Sequence, residues 1–100
     1  MNRKLIIISS ENLFRKLTLM RENINLIDGK LNIEADKETH SLEFPDNPII
    51  NPIPIECKNS FSVFISLKKI DALIAFLKTI PEQPITLSFE DDEIGIHWAV

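Results

Sequence analysis

Asp28-Gly29, flanked by alternating apolar residues, constrains this chain more than any other feature of its sequence. Asp-Gly tolerates two successive positive φ angles, and a type I′ turn built on them has the twist that paired strands need. Pairing around the turn sets Leu26 opposite Leu31 and Ile24 opposite Ile33, so turn and register gather one apolar face. The sequence predicts a hairpin here. A third strand from Thr39 to Phe44 extends it, with Leu42 and Phe44 turned inward.

The segments around this hairpin have their own periodicities. Arg3 to Ser9 is an isoleucine-rich run of strand length. Ser9 and Ser10 supply N-cap chemistry, and Glu11 suits the positive end of a helix. Leu13, Phe14, Leu17 and Met20 then fall at helical spacing, which predicts an amphipathic helix from about Ser10 to Glu22.

Pro45, Pro48, Pro52 and Pro54 mark a crossing loop, because proline removes backbone donors and biases the residue before it toward extended geometry. Ile49, Ile50 and Ile53 are expected to pin that loop to the body.

The second half repeats the syntax of the first. Phe61, Val63 and Ile65 alternate as a strand, and Ser66 stands where a helix cap is needed. Leu67, Ile70, Leu73, Ile74 and Leu77 form an apolar stripe, Phe76 widens it, and Pro81 ends the helix. Ile85, Leu87 and Phe89 alternate, Asp91-Asp92 reverses the chain, and Ile94, Ile96 and Trp98 alternate back. Pairing across that turn sets Phe89 against Ile94, Leu87 against Ile96 and Ile85 against Trp98. The expected core therefore includes Leu26, Leu31, Ile33, Leu73, Leu77, Leu87, Ile96 and Trp98. Two strand–helix–hairpin units imply an α+β domain over residues 1–100, with two helices side by side on one face of a mostly antiparallel sheet.

Composition excludes several classes. A chain of 100 residues forms one domain, and 44% apolar content is ordinary for a packed one. No apolar run approaches the roughly 18 residues of a membrane span, and no small-residue cleavage site follows the first strand. The sequence thus assigns the chain to the cytoplasm, with no membrane partner. Cys57 is the only cysteine, which rules out an internal disulfide and a thiolate metal cage.

Site chemistry is sparse. His97 shares a polar strand face with Thr86, Ser88 and Glu90, and His40 stands near Glu38 and Glu43; neither has a second histidine at ligand spacing. Glu90-Asp91-Asp92-Glu93 lacks the glycine and the spaced ligands of a calcium loop and reads as a solvated hairpin tip. Gly29 and Gly95 are the only glycines, so there is no glycine-rich phosphate loop, and Gly95 within a strand marks a bulge or a close backbone approach. The reading assigns no catalytic residue, no metal and no cofactor.

Charge is distributed unevenly. The two helical segments carry Arg15, Lys16, Arg21, Lys68, Lys69 and Lys78 against Glu11, Glu22 and Asp71. That excess of three positive charges leaves seven net negative charges for the rest of a chain whose total is −4. With the apolar stripes turned inward, Arg15, Lys16, Lys68 and Lys78 form the face offered to a partner or to DNA.

The stretch Phe61-Ser-Val-Phe-Ile-Ser-Leu-Lys-Lys-Ile-Asp-Ala-Leu73 and the hairpin Ile85-Thr-Leu-Ser-Phe-Glu-Asp-Asp92 resemble the second unit of a DNA sliding-clamp domain. The resemblance runs from Phe61 onward in pattern and over the whole chain in element order. It implies paired helices toward DNA with the sheet outside, and by position a DNA-facing role for Arg15, Lys16, Lys68 and Lys78. Clamps close a ring from several such domains, whereas this chain supplies one.

A small acidic chain without site chemistry suits a non-enzymatic protein-binding module, such as an inhibitor of the antitoxin or immunity type. The alternative is a clamp-like accessory protein that meets nucleic acid through its helix face. Homo-oligomerisation is compatible with both.

Overall fold

The structure, a computed structural model, describes residues 4–98. In chain order the elements are β1 (Lys4–Ser9), α1 (Ser10–Arg21), β2 (Lys30–Asp36), β3 (Ser41–Glu43), β4 (Ile53–Glu56), β5 (Phe61–Ser66), α2 (Leu67–Leu77), β6 (Pro84–Glu90) and β7 (Glu93–His97). Arg3, where the first expected strand begins, lies outside the described residues. All seven strands join one antiparallel sheet in the order β5-β2-β3-β4-β1-β6-β7. The fold is α+β.

The pairing has an internal two-fold pattern. β1 pairs with β6 as β5 pairs with β2, with Ser9 opposite Pro84 and Ser66 opposite Lys30. β2 then pairs with β3 as β6 pairs with β7. β4 fits between β3 and β1. Among the described residues, no strand occupies the corresponding place between β7 and β5.

The sheet is strongly curled. Laid flat, its edge strands β5 and β7 would stand about 29 Å apart, six spacings of about 4.8 Å. Yet the backbone N–H of Ser66, at the end of β5, lies 2.8 Å from the carboxylate of Asp92 in the β6–β7 turn. The Phe61 and Phe89 rings, one on each side of the gap, have centroids 5.8 Å apart.

One face of every strand turns inward. Ile6, Ile8, Leu31, Ile33, Leu42, Ile53, Ile65, Ile85 and Leu87 join Leu13, Leu17, Ile70, Leu73 and Leu77 of the helices in a single core. The period-two alternation of the strands and the helical stripes both predict this partition. Both helices therefore cover the same side of the sheet. Arg21, at the end of α1, binds Asp71 early in α2, while Glu11 and Phe14 face Leu77 and Lys78. The two helices are antiparallel neighbours.

Ser9 caps α1 as expected: its hydroxyl accepts from the Asn12 backbone N–H at 3.2 Å. Ser10 has a different task. Its N–H donates to the Gln83 carbonyl, its hydroxyl to the Pro81 carbonyl, and the hydroxyl accepts from the Gln83 N–H. The buried Ser10 thus ties the start of α1 to the loop beyond α2.

Several expectations are corrected. The Asp28-Gly29 turn forms with φ of 52° and 75°, and Ile27 and Lys30 exchange both backbone bonds. The hairpin stops there, and its first strand is missing. The next hydrogen-bonded pair of that ladder would join Asn25 to Asn32. Instead, the side-chain amide of Asn47 takes both polar groups of Asn25: Oδ1 accepts from its N–H at 2.7 Å, and Nδ2 donates to its C=O at 3.1 Å. A buried side chain thus replaces a strand, and Ile24 and Leu26 are only half-buried.

The proline segment is also less uniformly a loop than expected. Ile53–Glu56 pairs on both edges as β4, because Ile53 and Ile55 alternate inward while the prolines stay exposed. Ile50 is buried and pins the segment, but Ile49 is 89% exposed.

In the second hairpin, Phe89 faces Ile94 and Leu87 faces Ile96, as the alternation predicts. The expected Ile85–Trp98 pair does not form, because β7 ends at His97. Trp98 is exposed and Ile96 half-buried. Gly95 marks no bulge: it pairs in register with Ser88, whose hydroxyl fills the space a Cβ would take.

Candidate protein interface

The four basic residues singled out by sequence do not share one patch. At the 100° per residue of an α-helix, Lys16 lies about 200° around α1 from Phe14, on the flank away from α2. Arg15 is exposed, and its guanidinium bonds Glu11 one turn back at 3.2 Å. Lys68 is exposed near the start of α2, whereas Lys78 caps the C-terminal end and borders the groove between the helices. Among the described residues, Lys16, Lys68 and Lys78 have no ion-pair partner.

The groove has mixed charge. Thr18, Arg21 and Glu22 of one helix face Asp71, Ile74, Ala75 and Lys78 of the other around a space of about 300 Å³. Arg21 crosses it, with Nε 2.7 Å and Nη2 3.4 Å from the two Asp71 oxygens. That fork raises the Arg21 guanidinium and lowers the Asp71 carboxyl relative to their ordinary values, chiefly through the side-chain hydrogen bond. Sequence placed Asp71 outward but gave no sign of its partner, fifty residues earlier. Pairing removes one of the helical cations from any phosphate-binding role.

At the other end of the helix pair, the neighbouring Glu11, by accepting a hydrogen bond from the protonated form and by like charge, holds the Glu82 carboxyl above the ordinary glutamate range.

The acidic turn is structural at one position. Asp92 accepts from the backbone N–H and the hydroxyl of Ser66, each at 2.8 Å. Those bonds, the backbone one first, hold the Asp92 carboxyl below its usual range. Ser66 makes no side-chain cap of its own; its hydroxyl is spent on Asp92. Next to it, Lys69 donates to both Glu93 oxygens at 3.1 and 3.3 Å. α2 is thereby fastened along β7.

The aromatic residues at that flank are the feature sequence reasoning placed wrongly. Trp98 is 37% exposed, and its ring lies against Phe76 of α2, with centroids 5.4 Å apart and planes tilted by 58°. Ile94 and Ile96 beside it are partly buried, although the inward residues of β6 are fully buried. The signal was present in Phe76, which stands at the edge of the helical stripe.

Other candidates gain no chemistry. His97 is exposed on the outer face and His40 occupies an exposed turn at φ 51°. Burial, then Asp36, pushes the Cys57 thiol up, so it stays protonated and a poor nucleophile at neutral pH. Among the described residues, no three His, Cys, Asp or Glu side chains could hold a metal ion, and no helix is long and apolar enough to cross a membrane. Comparison with protein families, with curated proteins and with solved structures finds no match.

Proposed function

We propose that the chain is a non-enzymatic protein-binding module, and that its interface is the β7 flank built by Trp98, Phe76, Ile94 and Ile96. The observation that carries this reading is the exposure of Trp98. The β6–β7 register agrees with the alternation, so the exposure does not come from a slipped strand. Tryptophan is the residue type most enriched where interfaces concentrate their energy. Here it is held against a second aromatic, which lowers the entropy lost on contact. A small acidic chain of this kind suits an inhibitor of the antitoxin or immunity type. The test is affinity capture from the native cell with the parent chain and with Trp98→Ala. A specific partner lost on substitution supports the reading, and a partner retained unchanged removes it.

The clamp-like alternative draws on the antiparallel helices lying side by side. Its electrostatic support is weak, because Arg15 and Arg21 are paired to carboxylates and Lys16 points away from the groove. Neutralising phosphates requires several free cations on one surface.

A further inference from the structure

We propose that the outer face of the sheet around Phe64, Glu34 and Glu43 docks an arginine-rich segment of a protein partner. This face is turned away from the helices and is separate from the β7 flank, so either assignment can fail without the other. Phe64 stands on β5 between the inward Val63 and Ile65 and is 46% exposed. β2 sets Asn32 beside Phe64 and Glu34 beside Ser62, whose hydroxyl donates to the Asn32 side chain at 3.0 Å. Glu34 is in turn directly opposite Glu43 of β3. Cα atoms of residues so opposed are about 5 Å apart, and like charges there weaken the pairing of the strands.

Asp36 follows Glu34 on the same face of β2, and Glu56 stands on the outer face of β4. Among the described residues, none of these four carboxylates has an ion-pair partner. Lys30, the one cation at an outward position of β2, lies near Asp92 at the far end of the strand. The face therefore presents unpaired negative charge beside an exposed ring. A guanidinium suits both, because it lies flat on an aromatic face while its N–H fork reaches carboxylates at the ring's edge. Glu34 is the diagonal neighbour of Phe64 across the β5–β2 ladder, and side chains so placed come within reach of one another. An arginine over Phe64 thus meets Glu34, a second meets Glu43, and their charge offsets the repulsion between the two carboxylates. Pro54, exposed across from Ser41, extends the surface on which the aliphatic stems can rest.

Fluorescence anisotropy tests this, with a labelled peptide of alternating arginine and serine titrated with the full chain at low salt. Micromolar binding that weakens with salt is expected. Glu34→Gln with Glu43→Gln is expected to weaken it at least about fivefold, and Phe64→Ser about threefold. Glu22→Gln with Asp91→Asn removes the same charge elsewhere on the surface. An equal loss in that control would reduce the attraction to net charge and overturn the site, as would a peptide that does not bind. A lysine–serine peptide of the same length is expected to bind about threefold more weakly, and equal affinity for the two would overturn the choice of arginine. Amide shifts in 15N–1H spectra should map the peptide to β2, β3 and β5. Shifts there with spermine or calcium alone but not with the peptide would assign the face to a small cation. Shifts on concentrating the chain alone would assign it to a second copy, and either result overturns the proposal. Melting curves show that each variant is folded, and the Glu34/Glu43 variant is expected to melt no lower than the parent.

Discussion

The Asp92 carboxylate accepts two hydrogen bonds from Ser66, one from the backbone N–H and one from the hydroxyl, and so joins the two open ends of the curled sheet. A side chain holds the ends together where a strand could have bridged them. Asp92→Asn keeps the shape and loses the charge, and is expected to lower Tm at pH 7 by about 5 °C. The folded Asp92 carboxyl is held below its unfolded value of about 3.9, so its contribution is complete above that value and lost as pH falls through the folded one. Melting curves of parent and variant should therefore converge as the pH is lowered toward about 2.

Glu82 has the opposite sign. Its carboxyl is raised by Glu11, so protonation favours the folded chain and the ionised pair opposes folding at neutral pH. Glu82→Gln is expected to raise Tm slightly at pH 7. The advantage should shrink as pH falls through the raised value toward the ordinary glutamate range, which thermal melts across that window would show.

Asn47 substitutes for a missing strand, so its removal should be felt well beyond one residue. Asn47→Ala leaves the N–H and C=O of Asn25 without their partner and is expected to cost about 2 kcal/mol, read as a lower urea midpoint at unchanged slope. Asn47→Asp keeps the acceptor but sets a buried carboxylate oxygen against the Asn25 C=O, and should be at least as destabilising as Asn47→Ala at pH 7.

Much of this architecture is legible in the residues. Strand alternation in Phe61–Ile65 and Ile85–Phe89, and the 3.6 period of Leu13–Met20 and Ile70–Leu77, follow from which side chains must leave water. These patterns identify both helices, their common side and the register of the second hairpin. What escapes is decided by single polar side chains acting over long separations. Asn47 intercepts Asn25, Asp92 reaches Ser66, and Arg21 finds Asp71; no local propensity encodes any of these. β4 is hidden for another reason, since Pro52 and Pro54 outweigh the Ile53/Ile55 alternation in any local reading. Trp98 has the inward parity of Ile94 and Ile96, and only the end of β7 at His97 leaves it outside.

The charged helices separate the two functional readings. Replacing Lys16, Lys68 and Lys78 together with glutamate should leave Tm within a few degrees of the parent, because none is buried and, among the described residues, none is paired. The parent chain is expected to show no DNA affinity in a low-salt titration. Measurable affinity that falls steeply with salt and vanishes in the triple variant would favour the clamp-like alternative.

Trp98 is the only tryptophan in the chain, so its fluorescence reports the proposed interface without labelling. The decisive measurement is acrylamide quenching of Trp98 in the free chain and in the partner-bound one. The account predicts ready quenching when the chain is free, with protection and a blue-shifted emission once the β7 flank is covered. An indole equally quenched in both states would show that association leaves Trp98 in water and would contradict the assignment of this flank as the interface.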